Sequence, residues 1–423
     1  MLVRYGRDLN GKPVPQALVY TAQEHGICLN LIDRDAIHIV ERLKKSGYKA
    51  YIVGGAVRDL LLGSAPKDFD LVTDALPNEI RKLFRNSRII GRRFRLVHIF
   101  YGSKIFEVST FRSNKNGSVG NEFGTMAEDV TRRDFTLNAL YFDPTDSTLV
   151  DFVGGMKDIR AGKLNPIIPL DRIFKEDPVR IVRGVKYAAM TGFSVPFSLK
   201  RTIRKDAALL SGVSHSRMTE EFFKVLASGK SGPIFTQLGE YDLIKYFVPN
   251  VWERMQSDGD YSQKLFSDLD ALDALHVDVR QSEIEGDGSI GDKAQGKKKL
   301  SVLLSYFLES YVEAECRGLS AQDNLFPTIL ATARAFVMPL NPPRIELEEA
   351  IKLILNELGL VAVKPKAPRR RPRRGPAKPK AGAPHYDTGA AHSEAVAHPE
   401  AGATHPETGG APPPSEKEQG QIT

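Results

Sequence analysis

The chain has 423 residues, 41% hydrophobic and 26% charged, the balance of a globular protein long enough for two or three domains. Its formal charge of +7 and isoelectric point near 9.1 lean toward a polyanionic partner. Cys28 and Cys316, its two cysteines, lie too far apart for a disulfide framework or a zinc-ligand spacing. No apolar run approaches the roughly 18–20 residues of a membrane span and the first residues lack a signal-peptide core, so a cytoplasmic protein is expected.

Residues 1–30 carry few structural signals and read as a leader. Ile32, Ala36, Ile37, Val40 and Leu43 then follow helical spacing, with Gly47 as the stop. Short apolar runs predict strands at AYIV (50–53), FDLVT (69–73), LVHIFYG (96–102), KIFEVSTF (104–111), LNALYFD (137–143) and TLVDFV (148–153), with Gly102-Ser103 as a hairpin turn. Together these predict an α+β domain over residues 31–165, a mixed sheet with short helices. After Pro169, amphipathic patterns at 177–190, 198–210, 217–228, 231–246, 300–313, 325–337 and 344–358 predict an all-helical region spanning 166–358. Within it, the polar, glycine-containing stretch 278–298 reads as a flexible insertion. Residues 359–423 read as a disordered tail rich in proline, glycine and histidine. Its block KPKAPRRRPRRGPAKPK (364–380) sets Arg369, Arg370, Arg371, Arg373 and Arg374 close together with no acid, a composition suited to RNA phosphates.

The chemistry concentrates in the α+β region. Asp68 and Asp70 are one residue apart, and alternation along a strand puts both carboxylates on one face. Like charges that close need a cation, and Mg²⁺ suits one or two carboxylates plus substrate phosphates. Upstream, YIVGGAVRDLLLG (51–63) is a strand–turn–helix corner. There Gly54 and Gly55 let backbone amides approach a triphosphate, and Arg58 is a further nucleotide contact. Glu107, an acid in an otherwise apolar strand, is a candidate third metal ligand, and Asp134 in TRRDFTLNAL (131–140) is the other candidate third acid. Arg133 suits bidentate phosphate contacts, and Asp134 and Asn138 suit sugar hydroxyls. In KEDPVRIVRGVKYAAMTGF (175–193), Asp177 caps a helix that begins at Pro178, and Arg180 and Arg183 share its face. Asp177, Arg180 and Arg183 could read the edge of a nucleobase. Arg92, Arg93 and Arg95 form a basic cluster beside the strands, suited to an RNA backbone.

The segments GGAVRDLLLG, KDFDLVTD, RRDFTLNAL, DFVGG and EDPVRIVRGVKYA, in that order over about residues 30–250, resemble the bacterial class II nucleotidyltransferases, the poly(A) polymerases and CCA-adding tRNA nucleotidyltransferases. The resemblance implies a polymerase-β-like catalytic head followed by a helical neck and an RNA-binding body. By motif position it implies catalytic roles for Asp68, Asp70 and Asp134, base selection by Asp177 and Arg180, and two-metal phosphoryl transfer with Mg²⁺. The run GRRFRLVHIFYG (91–102) is similar to the poly(A) branch. The expected activity is therefore template-independent addition of AMP from ATP to RNA 3′ ends, of mRNA or other transcripts, with RNA-turnover proteins as further partners. CCA addition to tRNA is the competing enzymatic reading. An inactive RNA-binding scaffold is the third, disfavoured by the presence of both Asp68 and Asp70.

Overall fold

The structure is a computed structural model that describes residues 2–7, 13–91, 95–113, 115, 122–284, 299–319 and 325–360; side chains at 6–15 and 276–284 are outside the description. Among the described residues nine strands form one sheet: β1 (Leu2–Arg7), β2 (Pro13–Tyr20), β3 (Ala50–Val53), β4 (Asp70–Thr73), β5 (Ser87–Ile90), β6 (Leu96–Tyr101), β7 (Lys104–Thr110), β8 (Leu140–Asp143) and β9 (Thr148–Asp151). Their order is β1-β2-β9-β8-β3-β4-β7-β6-β5, antiparallel throughout except for the parallel pair β4–β7. The expected strands are present with slightly shorter limits. Tyr101 pairs with Lys104 across Gly102-Ser103, and Gly102 takes the positive φ of 57° that tight hairpin turns demand at their first position.

Three expectations need correction. Residues 1–30 are not an unstructured leader: β1 and β2 extend the sheet, with Leu18, Val19 and Tyr20 paired to Asp151, Val150 and Leu149 of β9. The signal was weak because β2 is proline-bearing and only its last residues are consistently apolar. The four-residue strand β5 was not anticipated; it lies between two arginine-bearing stretches that mask its alternation. Part of the supposed insertion is helical, because a 26-residue helix runs from Gly259 to Ile284; residues 285–298 lie outside the description.

Strand alternation gives the sheet two unlike faces. Ile52, Leu71, Val97, Val108 and Phe142 point into a large core that continues without a break through Phe174, Val185 and Phe307 to Ile354 in the helical region. The opposite face carries a small cluster of Val53, Val72, Tyr141 and Val150, capped by Met126 and Val130 of the helix Met126–Thr131. Beyond β4 this second face is bare: Phe100, Ile105 and Glu107 are exposed there.

The helical region follows from Ile173 onward. Its first long helix, Val179–Thr191, docks on the sheet domain at Gly184, where a Cβ would stand 2.9 Å from the Phe135 ring; glycine is what allows that approach. The segment 134–140 is buttressed from below by Asp151, whose two carboxylate oxygens accept from the backbone N–H of Val153, Gly154, Gly155 and Met156 and so cap the helix Gly155–Arg160. The remaining expected helices are present except that 231–246 is broken into Ser231–Glu240 and Ile244–Phe247 at Asp242, which takes a φ of 58°, and Pro249–Ser257 is an additional helix. Among the described residues no helix is long and apolar enough to cross a membrane.

Candidate active site

The site lies where the bare face begins. β3 ends at Val53, directly opposite Asp70 at the start of β4, and Asp70 in turn sits opposite Glu107 of the parallel strand β7. Cross-strand partners share a face, so both carboxylates project to the same side. Asp68 precedes β4 by two residues; Phe69 between the two aspartates is buried in the main core, and Asp68 and Asp70 are turned outward. Although Asp70 opens into the cleft, the protein packed around it and the nearby Glu107 and Asp68 push its carboxyl up to about 6, against the opposing pull of Arg133 and Lys224.

Immediately after β3 the chain turns through Gly54 at φ 72° and ψ −136°, a conformation that side chains resist. A Cβ on Gly54 would lie 3.7 Å from Asp70 Oδ2 and 4.0 Å from Arg133 Nη1, so the bare backbone flanks both an acid and a base. Val53, Asp70, Leu96, Glu107, Ser109, Arg112 and Arg133 line a cleft of about 170 Å³.

Arg133 is rigidly held. Its Nε and Nη2 donate to Asp129 Oδ2 at 3.2 and 3.0 Å, its Nε also to Tyr141 Oη at 3.1 Å, and its Nη1 to the Asn138 carbonyl at 3.0 Å. Tyr141 donates to the same Asp129 oxygen at 2.6 Å. Burial opposes the charge of Asp129, but Arg133 and these hydrogen bonds hold its carboxyl below the usual range. Arg112, on the same wall, is pushed down to about 10 by burial and by Arg132. The cleft thus has an acidic wall on β4 and β7 and a cationic wall on Arg112 and Arg133.

The other expected site residues form a second, buried group. Arg58 donates to Asn138 Oδ1 at 3.1 Å and to Asp59 at 2.7 Å, and its guanidinium lies over Tyr187. Asn138 therefore joins the two groups, holding Arg58 through its side chain and Arg133 through its carbonyl. Asp134 belongs here rather than to the cleft: its Oδ1 accepts from the Phe135 N–H at 2.8 Å and its Oδ2 lies 3.8 Å from Arg183. Pro178, not Asp177, is the N-cap of the helix, which begins at Val179; Asp177, one residue earlier, accepts from the Val179 N–H at 3.3 Å and takes a 2.7 Å bond from Arg217. Arg180 donates to the Ile173 carbonyl at 3.1 Å, and burial lowers its affinity for the proton. Arg183 donates to Glu221 at 2.8 Å, and Glu221 also accepts from Lys186 at 3.0 Å. Burial works against Glu221, yet Lys186 and Arg183 push its carboxyl down to about 2.

Sequence reasoning missed Asp129, Tyr141, Arg112, Arg217 and Glu221. Asp129 alone had a local signal, its four-residue spacing from Arg133 on a helix that begins with a Thr125–Glu128 capping box. Arg95 is exposed at the entry to β6, with no ion pair among the described residues. Arg92, Arg93 and the tail residues Arg369, Arg370, Arg371, Arg373 and Arg374 lie outside the described residues. Among the described residues no three histidine, cysteine or carboxylate side chains converge closely enough to hold a metal ion by themselves.

Residues 50–165 match the model of the poly A polymerase head domain, and residues 192–255 match that of the probable RNA and SrmB-binding site of polymerase A. The chain is 40% identical over 262 residues to poly(A) polymerase I of Escherichia coli O6:H1, covering 58% of this chain and 56% of that one. Residues 50–165 thus carry a poly A polymerase head domain. The chain is also 34% identical over 227 residues to the CCA-adding enzyme of Geobacillus thermodenitrificans, covering 52% of this chain and 56% of the relative. It spans little more than half the length of these relatives. The solved apo form II of a CCA-adding enzyme shares the fold, with a TM-score of 0.52 at 20% identity over 82% of this chain and 89% of that one.

Proposed function

We propose that this chain adds AMP from ATP to RNA 3′ ends without a template, releasing pyrophosphate. The observation that carries the proposal is the crowding of Asp68, Asp70 and Glu107 on the bare sheet face beside Gly54 and Arg133. The donors there are hard carboxylate oxygens and too few to enclose an ion, which fits Mg²⁺ shared with substrate phosphates and water. Asp68 and Asp70 would hold it, with Glu107 as a further ligand on β7. When bound, Mg²⁺ would neutralise the charge of the triphosphate and of the attacking and leaving oxygens.

Each residue then has a chemical task. The primer 3′ oxygen attacks the α-phosphorus of ATP. A new phosphodiester bond forms, the bond to pyrophosphate breaks, and the proton of the 3′ hydroxyl passes to solvent. Arg133, fixed by Asp129 and Tyr141, is aimed at the triphosphate across the backbone of Gly54, and such preorganised cations stabilise charge without reorienting during reaction. Asp177 and Arg180 would select the base. Asp134, 3.8 Å from Arg183, would hold that arginine rather than the metal.

Poly(A) synthesis is favoured over CCA addition by the higher identity over a longer match, 40% over 262 residues against 34% over 227. The test supplies the purified chain with an unstructured RNA primer, Mg²⁺ and each nucleoside triphosphate separately. ATP alone should give extended products. Addition of two C residues and one A to a truncated tRNA, stopping there, would overturn it in favour of CCA synthesis, and no incorporation at all would overturn both.

A further inference from the structure

The bare face does not stop at the acids. Pairing registers place Arg88 of β5 opposite His98 of β6, His98 opposite Glu107 of β7, and Glu107 opposite Asp70 of β4, so one row of side chains crosses four strands on a single face. It spans three strand spacings, about 14 Å. One step along the strands, Phe100 pairs with Ile105 on the same face. Phe100 is 37% exposed and Ile105 53%, an apolar cross-strand pair left in water beside the candidate active site. His98 stands edge-on to the Phe100 ring with centroids 6.4 Å apart. At the far end Arg88 is exposed, and among the described residues neither it nor Arg95 has an ionic partner.

We propose that this face of β5–β7 is the track on which the single-stranded 3′ end of the RNA primer lies, with a base stacked on Phe100 and a phosphate held by Arg88. The proposal rests on the function proposed above and adds where the second substrate runs. An aromatic ring on an open sheet beside an arginine with no ionic partner among the described residues is the chemistry that binds single-stranded nucleic acid irrespective of sequence. Continuity singles out that ligand: the track shares a cross-strand row with Asp70, so a strand lying along it ends at the acids where a 3′ hydroxyl is required. A partner protein would cover the apolar pair, but it would leave Arg88 without a counter-charge.

The test uses the full chain and a short fluorescein-labelled oligo(A) RNA. Binding is followed by anisotropy across a salt series, together with the primer KM and kcat for AMP incorporation. Phe100→Ala should weaken RNA binding about tenfold and raise the primer KM, with ATP affinity and kcat at saturating primer unchanged. Phe100→Trp should restore binding, which a merely structural loss would not. Arg88→Gln should reduce the slope of log K against log salt by about one phosphate contact. Thermal unfolding controls for the fold; Phe100→Leu, which keeps the bulk but not the ring, should behave as Phe100→Ala. Wild-type RNA affinity in both Phe100→Ala and Arg88→Gln would overturn the track while leaving the activity standing. RNA binding that depends on Phe100 without AMP incorporation would overturn the activity and keep the track. A dimer in sedimentation that Phe100→Ala dissociates, with RNA affinity unchanged, would assign the face to a second copy of the chain and overturn the proposal.

Discussion

The cleft at β4–β7 and the network beneath it use the same residue types to opposite ends. At the cleft, Asp70 lies opposite Glu107, His98 is 3.4 Å from Glu107, and the protein packed around Asp70 together with Glu107 and Asp68 pushes its carboxyl up to about 6. A few residues away in the fold, Glu221 is fully buried yet pushed down to about 2, because Arg183 and Lys186 meet it at hydrogen-bond distance. Charge is left unbalanced in the cleft, where the proposed cation and triphosphate would bind, and balanced where the helix Val179–Thr191 is held. The cost of the first is borne by stability elsewhere, an arrangement that functional sites share.

The largest effect expected from this contrast is on activity. Asp70→Ala should lower AMP incorporation roughly a thousandfold, comparable to losing a principal electrostatic group in other sites. Its unfolding temperature should be no lower than that of the wild type, since like-charge repulsion is relieved. Primer extension and calorimetry check the two halves, and a matching fall in stability would erase the distinction between the regions.

Glu221→Gln should do the reverse. Removing one partner of a buried ionic cluster strands Arg183 and Lys186, at a cost of about 3 kcal/mol. The acid's folded-state pKa lies below its unfolded value of 4.5, so its stabilisation is fully present above that value and is lost as pH falls from there toward 2. The gap in unfolding temperature between wild type and variant should therefore be constant near neutrality and close in that acid window.

Gly54→Ala sharpens the comparison at the border. The added Cβ clears both Asp70 and Arg133, so the penalty is that of a side chain at φ 72° and ψ −136°, about 2 kcal/mol, which denaturant melts would register. The smallest stability effect is expected for Arg217→Ala. Its bond to Asp177 is half open to solvent and contributes about 1 kcal/mol or less. Under the proposed role of Asp177, this variant should still blunt discrimination between ATP and the other nucleotides, measurable as a ratio of kcat/KM values.

Local patterns in the chain were enough for much of this protein. Period-two alternation in KIFEVST made Phe106 and Val108 core and left Glu107 outside, and the D-F-D spacing turned Asp68 and Asp70 the same way around a buried Phe69. The helix after Pro178 and the reach of Asp177 to its first N–H were also legible, because both involve residues only a few positions apart. Tertiary structure decided what depends on distant pairing. The parallel register of β4 against β7 put Glu107 rather than Asp134 beside Asp70, across a separation no local rule spans. Folding also paired Arg183 and Lys186 with Glu221 and set Arg217 on Asp177, since a helix states which of its faces is polar but not which charge will meet it. Residues 2–7 and 13–20 became strands where β9 offered an edge to β2: hydrogen bonding to an existing sheet supplies the order that a short, proline-bearing segment lacks alone.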